Sequence, residues 1–245
     1  MIEATVHLKT PDGVMPTRTF HPGEGKRYPA VILFMDGVGI RPTLIEMARR
    51  IASNGYYVAL PDLFYRSGPQ APFDGATVFS DPAERARLMS LIKEVTPARA
   101  MADTRVILDY LDSDPAADAR KIGTVGYCMG GGAALSAAGQ FPDRVLAAAS
   151  YHGGRLATDA PDSPHVLASA ARGRVYVGYA ENDNSFPEEQ RQRLEAALTE
   201  AGVSHSMELY HAAHGFSMTD LPVYNETAAA EHWRTMLGLF REALR

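Results

Sequence analysis

Six apolar residues in succession, Ala30-Val31-Ile32-Leu33-Phe34-Met35, stop abruptly at Asp36-Gly37-Val38-Gly39. A strand with one wet face alternates polar and apolar residues, whereas an unbroken run closed by turn residues reads as a strand covered on both faces. Such a strand belongs in a parallel sheet between two layers of helices. The next segment supplies one of those layers, because Leu44, Ile45, Ala48 and Ile51 recur on one face of a helix spanning about Pro42 to Asn54, which Gly55 stops.

The same strand-then-helix grammar recurs along the chain. Apolar strands are expected at Tyr56 to Leu60, Lys121 to Tyr127, Val145 to Ser150, Arg174 to Tyr179 and Ser206 to Tyr210. Helices are expected at about Pro97 to Leu111, Gly131 to Phe141, Pro187 to Ala201 and Tyr224 to Leu244. Thr5 to Lys9 and Thr17 to Phe20 flank a Pro11-Asp12-Gly13 turn and form an antiparallel opening. Phe64 to Ser80 holds glycines, prolines and aromatics without a period, so it reads as a long loop over the mouth of a site. No repeat or linker divides residues 1–245, which read as a single α/β domain: a mostly parallel, twisted sheet with helices on both faces. In sheets of this kind, ligands gather at the carboxyl ends of strands.

Composition narrows the partners. A formal net charge of -5, with basic residues scattered along the chain, gives phosphate backbones nothing to attract, so no nucleic-acid partner is expected. The first ten residues lack a basic start and an apolar core, and no apolar run approaches the ~20 residues of a bilayer span. A soluble cytoplasmic protein is expected, as monomer or homodimer, binding neither membrane nor metal. The eight histidines form no His-Glu-x-x-His pairing. One cysteine, Cys128, can form neither an internal disulfide nor a thiolate cluster.

The chemistry gathers where the sheet rule puts it. Gly126-Tyr127-Cys128-Met129-Gly130 lies between a strand and a helix and matches the Gly-x-Ser-x-Gly elbow with cysteine as nucleophile. Such a turn is sharp and strained, so the residues two positions either side of the nucleophile must lack side chains. The free N–H groups and dipole at the helix start stabilise a thiolate there. A thiolate needs a histidine, and the histidine needs an acid to orient it. Asp183, in Glu181-Asn182-Asp183, and His214, in His211-Ala212-Ala213-His214-Gly215, both follow strands in the order nucleophile, acid, base. Glu181 and His211 are the rivals, each nearer its strand. An oxyanion hole takes one N–H from the residue after the nucleophile and one from an earlier strand-end loop, which designates Met129 and Gly37. Asp36 is then expected beside the nucleophile.

These motifs resemble the dienelactone hydrolase family, through Gly-Tyr-Cys-x-Gly-Gly at 126–131, Asp183 in Asp-x-x-x-Pro, His214-Gly-Phe, the Phe34-x-x-Gly37 region, Leu60-Pro61-Asp62-Leu63, and the terminal helix with Tyr224, Ala229 and Trp233. The resemblance spans nearly the whole chain. It implies an α/β-hydrolase fold of about eight strands, no metal or organic cofactor, and carboxymethylenebutenolidase-like hydrolysis of an enol-lactone or similar small ester through a thioester. Two positions depart from members acting on dienelactone: Asp36 replaces a glutamate, and Ser217-Met218-Thr219 stands where an arginine grips the substrate carboxylate. Arg85, Arg87 and Arg99 are the candidate substitutes for that cation. Two other readings remain open: a broad carboxylesterase or phosphotriester-cleaving enzyme using the same thiolate, and a non-catalytic ligand-binding or redox-sensing domain in which Cys128 only oxidises.

Overall fold

The computed structural model describes residues 1–245. Eight strands form one sheet: β1 (Ile2–Thr10), β2 (Gly13–His21), β3 (Tyr28–Phe34), β4 (Tyr57–Pro61), β5 (Ala117–Tyr127), β6 (Val145–Tyr151), β7 (Arg174–Ala180) and β8 (His205–Tyr210). Their spatial order is β1-β2-β4-β3-β5-β6-β7-β8. The β1–β2 hairpin is antiparallel and joins β4 antiparallel, and every later pairing is parallel. All five residues of β4, and all of β3 except Pro29, are buried, as a strand covered on both faces requires.

Seven helices surround the sheet: α1 (Pro42–Ser53), α2 (Pro82–Glu94), α3 (Pro97–Ser113), α4 (Met129–Gln140), α5 (Pro164–Ala168), α6 (Glu188–Glu200) and α7 (Glu226–Leu244). α1 turns Leu44, Met47, Ala48, Ile51 and Ala52 inward, and the Arg50 guanidinium lies over the Trp233 ring of α7. α1 packs on β2 and β4, and α7 packs on β5, β6 and β7. The other layer contains α3 and α4, with α5 between α4 and α6. No helix is long and apolar enough to cross a membrane.

The sequence reading missed α2. Its start signal was present, since Asp81 accepts from the N–H groups of Ala83 and Glu84 and Pro82 opens the first turn. Its apolar period was too sparse to register, for only Leu88 and Leu91 are buried. The loop before it also contains a single 3-10 turn, Tyr65–Ser67. α7 begins at Glu226, two residues later than expected, because Asn225 caps it through Ala228 N–H.

β3 sits between β4 and β5, so the chain leaves its carboxyl end toward one side and returns on the other. That reversal opens a crevice at the strand ends, and Phe34 pairs with Gly126 across it. The Asp36–Gly39 loop and Cys128 therefore emerge side by side. β7 and β8 are also neighbours, with Ala180 opposite Tyr210, so the loops bearing Asp183 and His214 leave the same edge together.

Candidate active site

Cys128 occupies the turn between β5 and α4 with φ 55° and ψ -118°, a left-handed conformation that a non-glycine residue adopts only under constraint. The constraint is visible. Cys128 N–H donates to Tyr151 O, while Cys128 O accepts from Gly131 and Gly154 N–H. A Cβ at Gly126 would collide with the Gly130 carbonyl, and one at Gly130 with the Met35 and Phe34 carbonyls. The two glycines therefore let β3, β5 and the first turn of α4 meet at van der Waals distance, which presents the half-buried thiol at the crevice.

His214 Nδ1–H donates to Asp183 Oδ2 at 2.6 Å. The other Asp183 oxygen accepts from Ser185 N–H at 2.8 Å and Ser185 Oγ–H at 2.6 Å. Asp183 is buried, which favours its neutral form, yet His214 and Ser185 outweigh that and hold the carboxyl below its usual range. Burial likewise opposes a charged His214, but hydrogen bonds to Asp183 and Cys128 and the charges of both raise its pKa to about 10. That shift favours the protonated imidazole at neutral pH, the form that pairs with an adjacent anion. The rivals lie elsewhere: His211 is solvent-exposed and faces Glu181 at 3.3 Å, a surface pair.

Gly37 is buried in the loop after β3, and its N–H has no acceptor within the protein. Met129 is the first residue of α4, where an N–H has no intrahelical partner. Those are the properties required of oxyanion donors. Ile92 of α2 fills the space a Gly37 side chain would need. Asp36 differs from expectation. It lies in the loop that leaves β3 next to β5, but its carboxylate binds Arg41 in bidentate fashion at 2.7 and 2.9 Å and accepts from Val38 N–H. Both oxygens are engaged, so the structure gives this carboxylate a guanidinium as its partner and not the thiol. Arg41 lies five residues further along, and a guanidinium outcompetes a thiol as partner for a buried carboxylate.

Two participants escaped the sequence reading. His152, just past β6 at φ 38°, is buried, bonds Ser217 Oγ through Nε2 at 2.8 Å and stands edge-on to the His214 ring at 5.2 Å. Burial, with the neighbouring His214 charge, keeps it neutral. Ser185 was the other. The strand-end rule could have found His152, since Tyr151-His152-Gly153-Gly154 closes a buried strand. Ser217, three residues past His214, is thus bonded to His152. Of the three candidate cations, Arg87 pairs with Glu84 and stacks on Phe73, and Arg99 pairs with Glu94. Arg85 lines a separate shallow pocket beside Phe79.

Next to Met129 lies a cavity of about 620 Å³ between α2, α4 and the segment after β6, with Ile92, Val95 and Ala133 on its walls and Lys93, Arg155 and Asp162 among its polar residues. No three His, Cys, Asp or Glu side chains converge as metal ligands.

An open, mostly parallel eight-stranded sheet with a strained residue, Cys128, on a strand-to-helix elbow defines an α/β-hydrolase. The dienelactone hydrolase family model matches residues 15–244, so the chain belongs to that family and is a carboxylic-ester hydrolase by class. A Synechocystis protein provisionally named a carboxymethylenebutenolidase is 27% identical over 228 residues, 89% of this chain and 88% of the relative. A carboxymethylenebutenolidase of Pseudomonas sp. strain P51 is 27% identical over 202 residues, 82% of this chain and 79% of its own. A solved structure from Klebsiella pneumoniae shares the fold with a TM-score of 0.83 at 24% identity, covering 98% of each chain.

Proposed function

We propose that the enzyme hydrolyses a small ester or lactone through a thioester on Cys128, with His214 and Asp183 completing the triad. The observation that carries this reading is the strained Cys128 beside a histidine whose pKa is raised to about 10 by a buried carboxylate and by the thiol itself. The Cys128 thiolate attacks the acyl carbon, and Gly37 and Met129 N–H groups bind the oxyanion as it forms. Collapse expels the alkoxide, which takes the His214 proton and leaves as alcohol. Neutral His214 then removes a proton from water, the hydroxide attacks the thioester carbonyl, and the thiolate departs with the acid released and the imidazolium restored. Asp183 holds Nδ1–H throughout, so that Nε2 is the nitrogen that exchanges protons.

The cavity beside Met129 has the volume of a small-ligand site and a partly apolar wall, which supports a compact organic ester. A second reading, a broad carboxylesterase or phosphotriester-cleaving enzyme, is favoured by the uncharged stretch Ser217-Met218-Thr219, where the resemblance to dienelactone-acting members would put a cation. Turnover of dienelactone, aryl acetates and a phosphotriester on one preparation distinguishes the two. For the triad, C128A and H214A should each lose p-nitrophenyl acetate turnover by at least about 10²-fold, and the wild type quenched in turnover should carry an acetyl group on Cys128. Wild-type rates in either variant would sink the assignment, and slow alkylation without an acyl adduct would favour a non-catalytic thiol.

A further inference from the structure

Arg41 joins two loops that reach the site from opposite directions in the sequence. Its Nη1 and Nη2 grip both oxygens of Asp36, in the loop that contains Gly37. Its Nε and Nη2 donate to Asp220, six residues past His214, with the Nη2 contact at 3.1 Å. Nη1 also donates to Gly39 O at 3.1 Å, at the far end of the Gly37 loop. The side chain is buried, and the two carboxylates beside it raise its pKa against the opposing effect of burial. Its backbone is fixed too, because Arg41 is the N-terminal flank of α1 and its carbonyl accepts from Ile45 N–H.

We propose that Arg41 is a positioning residue that fixes the Gly37 N–H against the reacting carbonyl by clamping the Asp36–Gly39 loop to the His214 loop. The inference rests on the reading of Gly37 as an oxyanion donor. Burying the Arg41–Asp36 pair, with Asp220 half-buried beside it, is a poor route to stability, since desolvation offsets most of the attraction, but it specifies geometry well. Asp36 receives three hydrogen bonds, one from Val38 N–H and two from Arg41, and Gly37 is the residue between the two parts of the loop they fix. Only a planar guanidinium can serve two carboxylates and a carbonyl at once, because the compact ammonium of lysine lacks the span and the fork. Thr43 and Thr219, their hydroxyls 3.5 Å apart, cross the same seam.

The test separates this role from that of the thiol. R41K keeps the charge and loses the fork; D36N keeps the shape, and Arg41 can still donate to its amide oxygen, so it folds even where R41K does not. Both are assayed for kcat and KM on p-nitrophenyl acetate and for alkylation of Cys128 by iodoacetamide, a displacement that forms no oxyanion. In folded protein, kcat should fall by about tenfold or more, with KM within about threefold and alkylation within about twofold of wild type. Unchanged kcat in folded R41K and D36N overturns the proposal. So does a parallel loss of kcat and alkylation, which would trace the defect to the thiolate pair. An active C128A would instead fell the parent reading, whatever R41K does.

Discussion

Asp36 and Asp183 are both buried carboxylates standing just past the ends of parallel strands, and each accepts hydrogen bonds from a loop N–H and a nitrogen base. Their partners differ. Asp183 faces an imidazole, whose proton can leave within the working pH range, and Asp36 faces a guanidinium, whose proton cannot. The same side chain past the end of a strand therefore faces a titrating partner in one loop and a fixed charge in the other. A strand-end aspartate in this fold is assigned by the base it meets, and position alone does not decide it.

Exchanging the two carboxylates for amides breaks or sharpens that contrast. D183N should have the largest effect, a fall in kcat/KM of about 10²–10⁴-fold, because the amide neither fixes the Nδ1–H tautomer nor supports the imidazolium. It should also move the alkaline limb of the pH–rate profile. His214 is raised to about 10 in part by Asp183, so losing that contribution shifts the limb to lower pH while the Cys128 contribution remains. D36N should cost about tenfold and leave the limb in place, since Arg41 does not titrate there. If both amides shift the limb alike, the contrast fails.

Stability supplies a third test. His214 has a folded pKa above its unfolded value near 6.5, so its contribution is complete below that pH and disappears as pH rises through about 10. The melting temperature of the wild type should decline across that window more than that of D183N, measured by calorimetry at matched ionic strength. S185A should be milder, a loss of a few-fold in kcat, because it removes the hydroxyl bond that aims Asp183 and keeps the backbone N–H bond. H211Q should leave activity within about twofold, as the exposed His211–Glu181 pair contributes little.

Much of this molecule could be read from its residues because the decisive features are local. The elbow needs only a strand run, two glycines and a helix start within a few positions, and the β3 run announces its own burial. The Arg41–Asp220 contact joins residues 179 positions apart, and His152 meets Ser217 across 65, so no window of sequence contains either pair. α2 was illegible for another reason: a helix that buries two side chains and lies over a crevice has almost no periodic signature. Asp36 is legible as a residue of the loop after β3, but the direction of its carboxylate is set by Arg41.

The elbow also limits how the enzyme can be retuned. Within Gly126-Tyr127-Cys128-Met129-Gly130, two letters are closed by carbonyl oxygens and one is the sulfur itself. Tyr127 points the other way, fully buried, with its hydroxyl 2.7 Å from His232 on α7. Met129 alone has a side chain on the cavity wall. Libraries aimed at the cavity have one permissive codon in the motif, and it encodes the flexible thioether whose main-chain amide is the proposed oxyanion donor.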